Sequence, residues 1–157
     1  MTDQPAAEDR IARKWQQLTA ISPYSRELGQ VLHSVDPDWC VIKVPYDTRL
    51  VGNPRTRVLH GGAVTALLDS CYGLAIFVRM NQLRSMATLD LRIDYLKPAT
   101  PGRDLFGGAV CYKVSADLAF VRGCAYHDTP DDPVATSVAI FIFTGGPAIS
   151  LEGEVPT

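Results

Sequence analysis

Apolar and polar positions change their period several times along this chain, and each change predicts an element. Residues 7–20 carry apolar side chains at helical spacing, which predicts an amphipathic helix that ends before Pro23. Two apolar runs within residues 28–44, separated by an Asp-Pro-Asp turn signal, predict two short strands. Residues 46–58 are rich in turn-forming residues and predict a loop.

The longest apolar segment spans residues 63–80, with Asp69 and Arg79 as its only charged residues. A helix that is apolar on every side is a buried one. A membrane span is the competing interpretation at this length. Because Asp69 lies near the middle and the rest of the chain is rich in strands, we expect a buried core helix and no membrane association.

Residues 87–95 alternate strictly between apolar and polar side chains, which predicts a half-buried strand with Thr88 on its polar face and Leu91 on its apolar face. Three more strands are predicted over residues 104–114, 118–127 and 134–143, and the short turns between these three make them antiparallel neighbours. One long helix with these strands predicts an α+β fold. A curved antiparallel sheet of five to six strands wraps the helix, and a second copy of the chain covers what remains exposed.

Length and composition limit the domain organisation and the class of protein. The chain has 157 residues, enough for one domain, and its net charge of −2 without a Lys/Arg run argues against nucleic-acid binding. We expect an N-terminal helical segment at 1–27 packing on a domain at 28–145, and a flexible tail at 146–157. The four cysteines are scattered, and no metal or nucleotide motif occurs, so no cofactor is expected. The polar N-terminus is unlike a signal peptide, which favours the cytoplasm.

The sequence Leu59-His60-Gly61-Gly62 leads into the predicted helix. The first amides of a helix lack intrahelical partners and lie at its positive end, so they can receive a carbonyl oxygen that gains negative charge. A tight loop-to-helix entry is the simpler interpretation of the two glycines, and for the glycines alone it is the favoured one.

Asp69 needs a reason for its place in an apolar helix, because burying an ionised carboxylate without partners is costly. A structural hydrogen bond and a general base or nucleophile are equally good interpretations of this residue alone. With a helix start near Gly62, Asp69 lies about 10 Å along the axis, at about 1.5 Å per residue. A reacting carbon must lie about 3 Å from both the oxyanion donor and the attacking atom. If both groups are catalytic, two antiparallel copies of the helix in a symmetric dimer must share the site.

Other residues near the glycines have both structural and functional interpretations. His60 either donates to a substrate or caps the loop, and Asn53 either donates a hydrogen bond or belongs to an ordinary Asn-Pro turn. Arg55 and Arg57 are either solvated or contact phosphate groups. Cys71 is best explained as a buried, inert thiol.

The stretch from Asn53 to Gly62 (NPRTRVLHGG), followed by Leu67-Leu68-Asp69, resembles the PaaI-like acyl-CoA thioesterases of the hotdog fold. The stretch from Ala87 to Ala99 (ATLDLRIDYLKPA) is similar to the strand that follows in that family. The resemblance implies hydrolysis of an acyl-CoA thioester to a free acid and CoA, in a homodimer with shared sites that forms a dimer of dimers.

The resemblance also implies roles for individual residues. The Gly61 amide would bind the thioester carbonyl with help from Asn53 and His60, Asp69 of the partner subunit would activate water or attack directly, and Thr88 would place Asp69. The substrate would be contacted by a further set of residues: Gly62, Arg55, Arg57, Lys113, and the apolar Tyr72, Ile76 and Phe77. For the three apolar residues, a place in the core is an equally good interpretation.

Two alternative functions remain open. The turn at residues 113–118 lacks the glycine and second basic residue that relatives place near CoA, which favours a non-catalytic acyl or CoA-binding module. A hydratase or dehydratase acting on the acyl chain is the other alternative. It ranks lower because His60 precedes the helix and has no second histidine beside it.

Overall fold

The computed structural model describes residues 4–146 and contains one long helix against a six-stranded sheet. Two helices, α1 (Gln4–Ile21) and α2 (Pro23–Glu27), come before the sheet. The central helix is α3 (Gly61–Met80). The strands are β1 (Val31–Ser34), β2 (Cys40–Val44), β3 (Val51–Asn53), β4 (Val58–Leu59), β5 (Met86–Tyr95), β6 (Leu105–Val114), β7 (Leu118–Tyr126) and β8 (Ala135–Phe143).

The large sheet has the strand order β1-β2-β6-β7-β8-β5, and every neighbouring pair is antiparallel. This confirms the predicted α+β architecture. The predicted loop at residues 46–58 is wrong in part. It contains a short 3-10 helix, Thr48–Leu50, and a small hairpin of β3 and β4. The sequence pattern does not predict this hairpin, because its strands are only three and two residues long and turn-forming residues lie between them.

Helix α3 lies against the concave side of the sheet, where Leu67, Leu68 and Leu74 are fully buried. The contact with β6 is close: a Cβ at Gly107 would lie 2.8 Å from Leu67 Cγ, so glycine lets the helix approach the strand. The helix has the length and mean hydropathy, 1.5, of a membrane span. Its burial under the sheet makes it the core helix, and no membrane span is indicated.

One face of α3 departs from the sequence expectation of burial on every side. Gly62, Thr65, Ala66, Asp69, Ser70 and Gly73 are only half-buried. Their spacing of three and four residues forms a single stripe along the helix. The sheet covers α3 from one side only, so this open stripe stays partly accessible in the single chain, where the Gln30 side chain donates to Ser70 Oγ at 3.0 Å.

Strand β5 also departs from the predicted strict alternation. Its pairing with β8 shifts between Thr88 and Asp90, which leaves Leu89 as an extra, bulged residue. Thr88 is opposite Phe141 and Leu91 is opposite Ala139, and both of these β8 residues are buried. The bulge therefore places Thr88 on the helix-facing side together with Leu91, whereas uninterrupted alternation puts them on opposite faces.

The N-terminal helices pack on the rest of the chain. Ile11 of α1 is buried within the main core, and Trp15 packs against it. Ser22 caps α2 by accepting a hydrogen bond from the Ser25 N–H at 3.4 Å. The division of the chain at residues 27/28 and 145/146 stays a prediction, and the tail beyond 146 lies outside the described residues.

Candidate active site

His60 forms the N-cap of α3 with extended backbone angles, φ −62° and ψ 136°. Its ring Nδ1 accepts a hydrogen bond from the Gly62 N–H at 2.8 Å, and its carbonyl accepts one from the Ala63 N–H at 2.9 Å. Its own N–H donates to the Leu50 carbonyl at 2.8 Å, which ties the helix start to the preceding loop. His60 therefore caps α3 in this structure, as one of its two interpretations predicts.

The Gly61 N–H is the amide at this helix end that the cap leaves available. Gly62 and Ala63 donate to His60, whereas the Gly61 N–H has no hydrogen-bond partner within residues 4–146. Gly61 is exposed, and it is the first residue of a 20-residue helix. A free N–H at the positive end of a helix is suited to bind an oxygen that becomes negative.

The hydrogen bond at His60 Nδ1 also defines where this side chain can donate. Because Nδ1 accepts from an N–H, the neutral ring carries its proton on Nε2. His60 is exposed, and its Nε2 has no hydrogen-bond partner within residues 4–146, so the Nε2–H is available as a donor. Capping and donation to a substrate are thus compatible roles for the two nitrogens of one ring.

Asp69 is half-buried on the open stripe of α3, two helical turns beyond the glycines. Its Oδ1 accepts a hydrogen bond of 2.7 Å from the Thr88 hydroxyl of β5. This contact is possible because the bulge at Leu89 directs Thr88 toward the helix. Asp69 follows Gly61 by eight residues, or about 12 Å along the axis at about 1.5 Å per residue.

The hairpin before α3 carries three of the candidate residues. Asn53 Oδ1 accepts from the Arg55 N–H at 3.0 Å, and the Asn53 carbonyl accepts from the Arg57 N–H at 2.7 Å. Asn53 thus forms the turn itself, and its side-chain amide N–H groups remain available as donors. Arg55 and Arg57 are exposed at the tip, and Arg57 has a left-handed φ of 59°.

Four of the remaining candidates do not join this cluster, whereas Gly62 belongs to it through its N–H. Tyr72, Ile76 and Phe77 are at most 1% exposed and lie in the core of the chain. In the single chain they therefore offer no surface to a ligand. Lys113 is exposed near the end of β6, with its ammonium group 5.7 Å from the Phe120 ring centre. Gly62 is half-buried and its N–H is used by the cap.

Two residues that sequence reasoning missed contact the glycine carbonyl. The Tyr95 hydroxyl donates to the Gly61 carbonyl at 2.8 Å, and the Thr65 hydroxyl lies 3.1 Å from the same oxygen. Thr65 had a detectable signal, since a hydroxyl four residues into a helix reaches back to the carbonyl one turn earlier. Tyr95 had none, because its contact joins residues 34 positions apart.

The helix start lies between two surface grooves. One has a volume of about 440 Å³ and is lined by Gly61, Tyr95 and mainly apolar neighbours, among them Leu59, Val64, Leu96, Pro98 and Val134. The other has a volume of about 470 Å³ and is lined by His60, Gly62 and residues that include Tyr24, Leu28, Leu50, Val51 and Ala63. A ligand bound at Gly61 therefore has open space on both sides.

Thiol and metal chemistry find no support among the described residues. Burial raises the pKa of Cys71, two residues from Asp69, far above its ordinary value of 9.0, so this thiol stays protonated and is a poor nucleophile. All four cysteines are free and buried. Within residues 4–146, no three His, Cys, Asp or Glu side chains come together as a metal site requires.

Comparisons with known proteins identify the family and the fold of this chain. A sequence model of the thioesterase superfamily matches residues 57–134, which include the helix start, Asp69 and Thr88. The medium/long-chain acyl-CoA thioesterase YigI of Escherichia coli K12 is 30% identical over 89 residues, a match that covers 48% of this chain. The chain spans only 57% of the length of that curated relative.

Solved structures match over a larger part of the chain. A Pseudomonas aeruginosa protein from structural genomics is 36% identical, with a TM-score of 0.74 over 87% of this chain and 98% of that one. The E. coli PaaI protein of the phenylacetic acid degradation operon is 16% identical, and its likeness shows the fold alone. Its TM-score is 0.76, and the match covers 89% of this chain and 97% of PaaI. These findings show the family: the chain belongs to the thioesterase superfamily and has the hotdog fold.

Proposed function

We propose that this protein hydrolyses an acyl-CoA, or a related acyl thioester, to the free acid and the thiol. The observation that carries the proposal is the free Gly61 N–H at the start of α3, in a chain that also holds Asp69 by a 2.7 Å hydrogen bond from Thr88. An acyl-transfer site needs an oxyanion donor and a positioned base or nucleophile, and a carboxylate can serve as the second. The name of the E. coli relative, a medium/long-chain acyl-CoA thioesterase, agrees with this reaction class.

The reaction follows from the chemistry of the two groups. The thioester carbonyl oxygen accepts a hydrogen bond from the Gly61 N–H, and the His60 Nε2–H and the Asn53 side-chain amide are additional donors near the same helix end. Asp69 takes a proton from water, whose oxygen adds to the carbonyl carbon, or adds directly to form an acyl-enzyme anhydride that water then cleaves. The carbon–sulfur bond breaks when the adduct of water collapses or, in the direct route, when the anhydride forms. The leaving sulfur takes up the proton that water loses and is released as the free thiol.

Two copies of the chain complete each site in this proposal. Within one chain Gly61 and Asp69 are separated by about 12 Å along α3, whereas a reacting carbon needs both within about 3 Å. The open stripe on α3 supports an antiparallel pairing with a second helix, in which Gly61 of each subunit meets Asp69 of the other. Strand β5 is an edge strand, and its Leu89 is 57% exposed, which supports a second contact region between subunits.

The substrate in this proposal is a thioester with an apolar acyl group. The two grooves beside Gly61 are lined mainly by apolar residues, so one accepts the acyl chain and the other accepts the thiol arm. The arginines at the hairpin tip, Arg55 and Arg57, are exposed and available to phosphate groups. The contact of Lys113 with the substrate, the dimer of dimers and the cytoplasmic location stay predictions.

Thiol release from a panel of acyl-CoAs tests the proposal. The panel contains acetyl-, hexanoyl-, decanoyl-, palmitoyl- and phenylacetyl-CoA, and the proteins are the wild type, Asp69→Asn and the matched control Asp94→Asn. Asp94 is an exposed carboxylate of β5 that pairs with Arg92. We expect release by the wild type and the control, and loss of release by Asp69→Asn with an unchanged oligomeric state.

The other outcomes identify the alternatives. CoA binding without release from any substrate supports the non-catalytic binding module. Addition of water to an enoyl-CoA without thiol release supports the hydratase. Full activity of Asp69→Asn removes Asp69 from the reaction.

A further inference from the structure

Two consecutive glycines at a helix start are the most flexible backbone that a chain can have, yet an oxyanion donor must be fixed before the reaction. The peptide between Gly61 and Gly62 is held at both of its polar atoms. Its N–H donates to His60 Nδ1 at 2.8 Å, and its carbonyl accepts from the Tyr95 hydroxyl, also at 2.8 Å. The peptide before His60 is held as well, by its hydrogen bond to the Leu50 carbonyl.

Tyr95 does not belong to the hydrophobic core. Its side chain is 51% exposed, at the end of β5 beside the groove that Gly61 lines. Thr65 stands between the two, with its hydroxyl 3.0 Å from the Tyr95 hydroxyl and 3.1 Å from the Gly61 carbonyl. Each hydroxyl has one proton to donate. The shorter contact to the carbonyl is that of Tyr95, and when Tyr95 donates there, Thr65 donates to the carbonyl or to the Tyr95 oxygen.

The tyrosine also lies directly over the glycine. A Cβ added at Gly61 would be 3.3 Å from the Tyr95 hydroxyl oxygen, which is tighter than most contacts of that kind, and 3.5 Å from Cζ, which is an ordinary van der Waals distance. Glycine at this position therefore lets the phenol come close enough to hold the backbone. Tyr95 comes from the strand that also supplies Thr88, so β5 contacts both the helix start and Asp69.

We infer that Tyr95, supported by Thr65, is a positioning residue that holds the Gly61–Gly62 peptide and thereby fixes the direction of the Gly61 N–H. This inference rests on the proposed thioester hydrolysis, in which that N–H is the oxyanion donor. Tyr95 itself contacts no reacting atom. Tyr95 therefore stabilises mainly the transition state, in which the carbonyl oxygen carries most charge, and contributes only slightly to substrate binding.

Tyr95→Phe tests the inference because it removes the hydroxyl and keeps the ring. We expect a decrease in kcat of about three- to tenfold, the range of one net hydrogen bond, with KM changed less than about twofold. Tyr112→Phe is the matched control, since Tyr112 is an equally exposed tyrosine (50%) on β6, and we expect wild-type kinetics from it. Thr65→Ser keeps the hydroxyl and retains activity, whereas Thr65→Val lowers kcat in the same direction as Tyr95→Phe.

A second readout does not depend on turnover. Hydrogen exchange at the Gly62 amide, followed by NMR, becomes faster in Tyr95→Phe and is unchanged in Tyr112→Phe if Tyr95 holds this peptide. Wild-type kinetics or wild-type Gly62 exchange in Tyr95→Phe overturns the inference while leaving the proposed function intact. A wild-type protein that releases no thiol from any acyl-CoA overturns the proposed function, and with it the role of Tyr95 in catalysis.

Discussion

The Thr88 hydroxyl donates a 2.7 Å hydrogen bond to Asp69 Oδ1, although strict alternation along β5 directs Thr88 away from the helix. The bulge at Leu89 resolves this conflict, because the extra residue reverses the face on which the preceding side chains lie. Strand β5 thereby orients the carboxylate of Asp69, although Asp69 itself belongs to α3. A hydrogen bond to an ionised group is among the stronger ones, so this contact is worth testing first.

Removing the Thr88 hydroxyl leaves Asp69 without its donor. We expect Thr88→Val to decrease kcat for acyl-CoA hydrolysis by about ten- to a hundredfold, which matches the loss of one hydrogen bond to a charged group. Thr88→Ser keeps the hydroxyl and is the matched control, with kcat close to that of the wild type. Equal activity of the valine and serine variants, measured by thiol release, would contradict the orienting role of this contact.

The central helix and its two chemical groups could be predicted from the sequence because they depend on local signals. A pair of glycines marks the start of α3, and a single carboxylate interrupts its apolar run at Asp69. Four strands of the large sheet, β5 to β8, were also predicted to within one residue of their ends, since their alternation and turn residues are local.

The features that the sequence does not predict depend on contacts between distant segments. The bulge at Leu89 has no glycine to mark it and follows from register with β8. The contact of Tyr95 with Gly61 joins two elements that meet only after the sheet has closed on the helix. The half-exposed stripe on α3 likewise follows from how far the sheet extends over the helix, which no local pattern reports. The burial of Tyr72, Ile76 and Phe77 agrees with the expectation of a buried core helix.

Gly61→Pro tests the oxyanion donor with little change in the backbone. Proline is favoured at the first position of a helix, where it only removes an N–H. The residue before a proline must be extended, and His60 already is, with φ −62° and ψ 136°. We expect kcat to decrease by about a hundred- to a thousandfold, the effect of removing one oxyanion-hole donor.

Gly61→Ala is the control for this substitution. It adds the same Cβ, 3.3 Å from the Tyr95 hydroxyl, but keeps the N–H. Its activity should therefore lie well above that of Gly61→Pro. Circular dichroism and thermal unfolding establish that both variants are folded. Comparable losses in the two variants would attribute the effect to the added carbon and would argue against the N–H as the oxyanion donor.

Buried thiols make the stability of the fold sensitive to alkaline pH. Burial raises the pKa of Cys40 and of Cys124 from 9.0 to about 11. Between these values the unfolded chain has lost the protons that the folded chain still binds, so the free energy of unfolding decreases as pH rises from 9 to 11. The expected slope is about 1.4 kcal/mol per pH unit for each group, and the contribution is fully present below pH 9.

Urea unfolding at pH 8, 9, 10 and 11, with a reductant present, measures this slope. The variant Cys40→Ala removes one of the two groups, so its stability should decrease less steeply over the same range. A comparison of slopes is preferable to a comparison of stabilities, because the substitution also changes core packing at every pH. Identical slopes in the wild type and Cys40→Ala would show that this thiol does not contribute to the loss.

Complementation between two inactive variants tests whether the site is shared by two subunits. Asp69→Ala lacks the carboxylate and Gly61→Pro lacks the amide donor, so each homodimer is inactive. In a mixed dimer with shared sites, one site combines the intact Gly61 of one subunit with the intact Asp69 of the other. The second site lacks both groups.

Random mixing of equal amounts gives half mixed dimers with one working site each. Activity should then rise to about one quarter of the wild-type value per subunit, by the closed symmetry of a two-fold dimer. The two variants are mixed under conditions that exchange subunits, and thiol release is followed over time, with each variant alone as the reference. If Gly61 and Asp69 served the same site within one chain, every mixed dimer would carry two damaged sites and mixing would restore nothing.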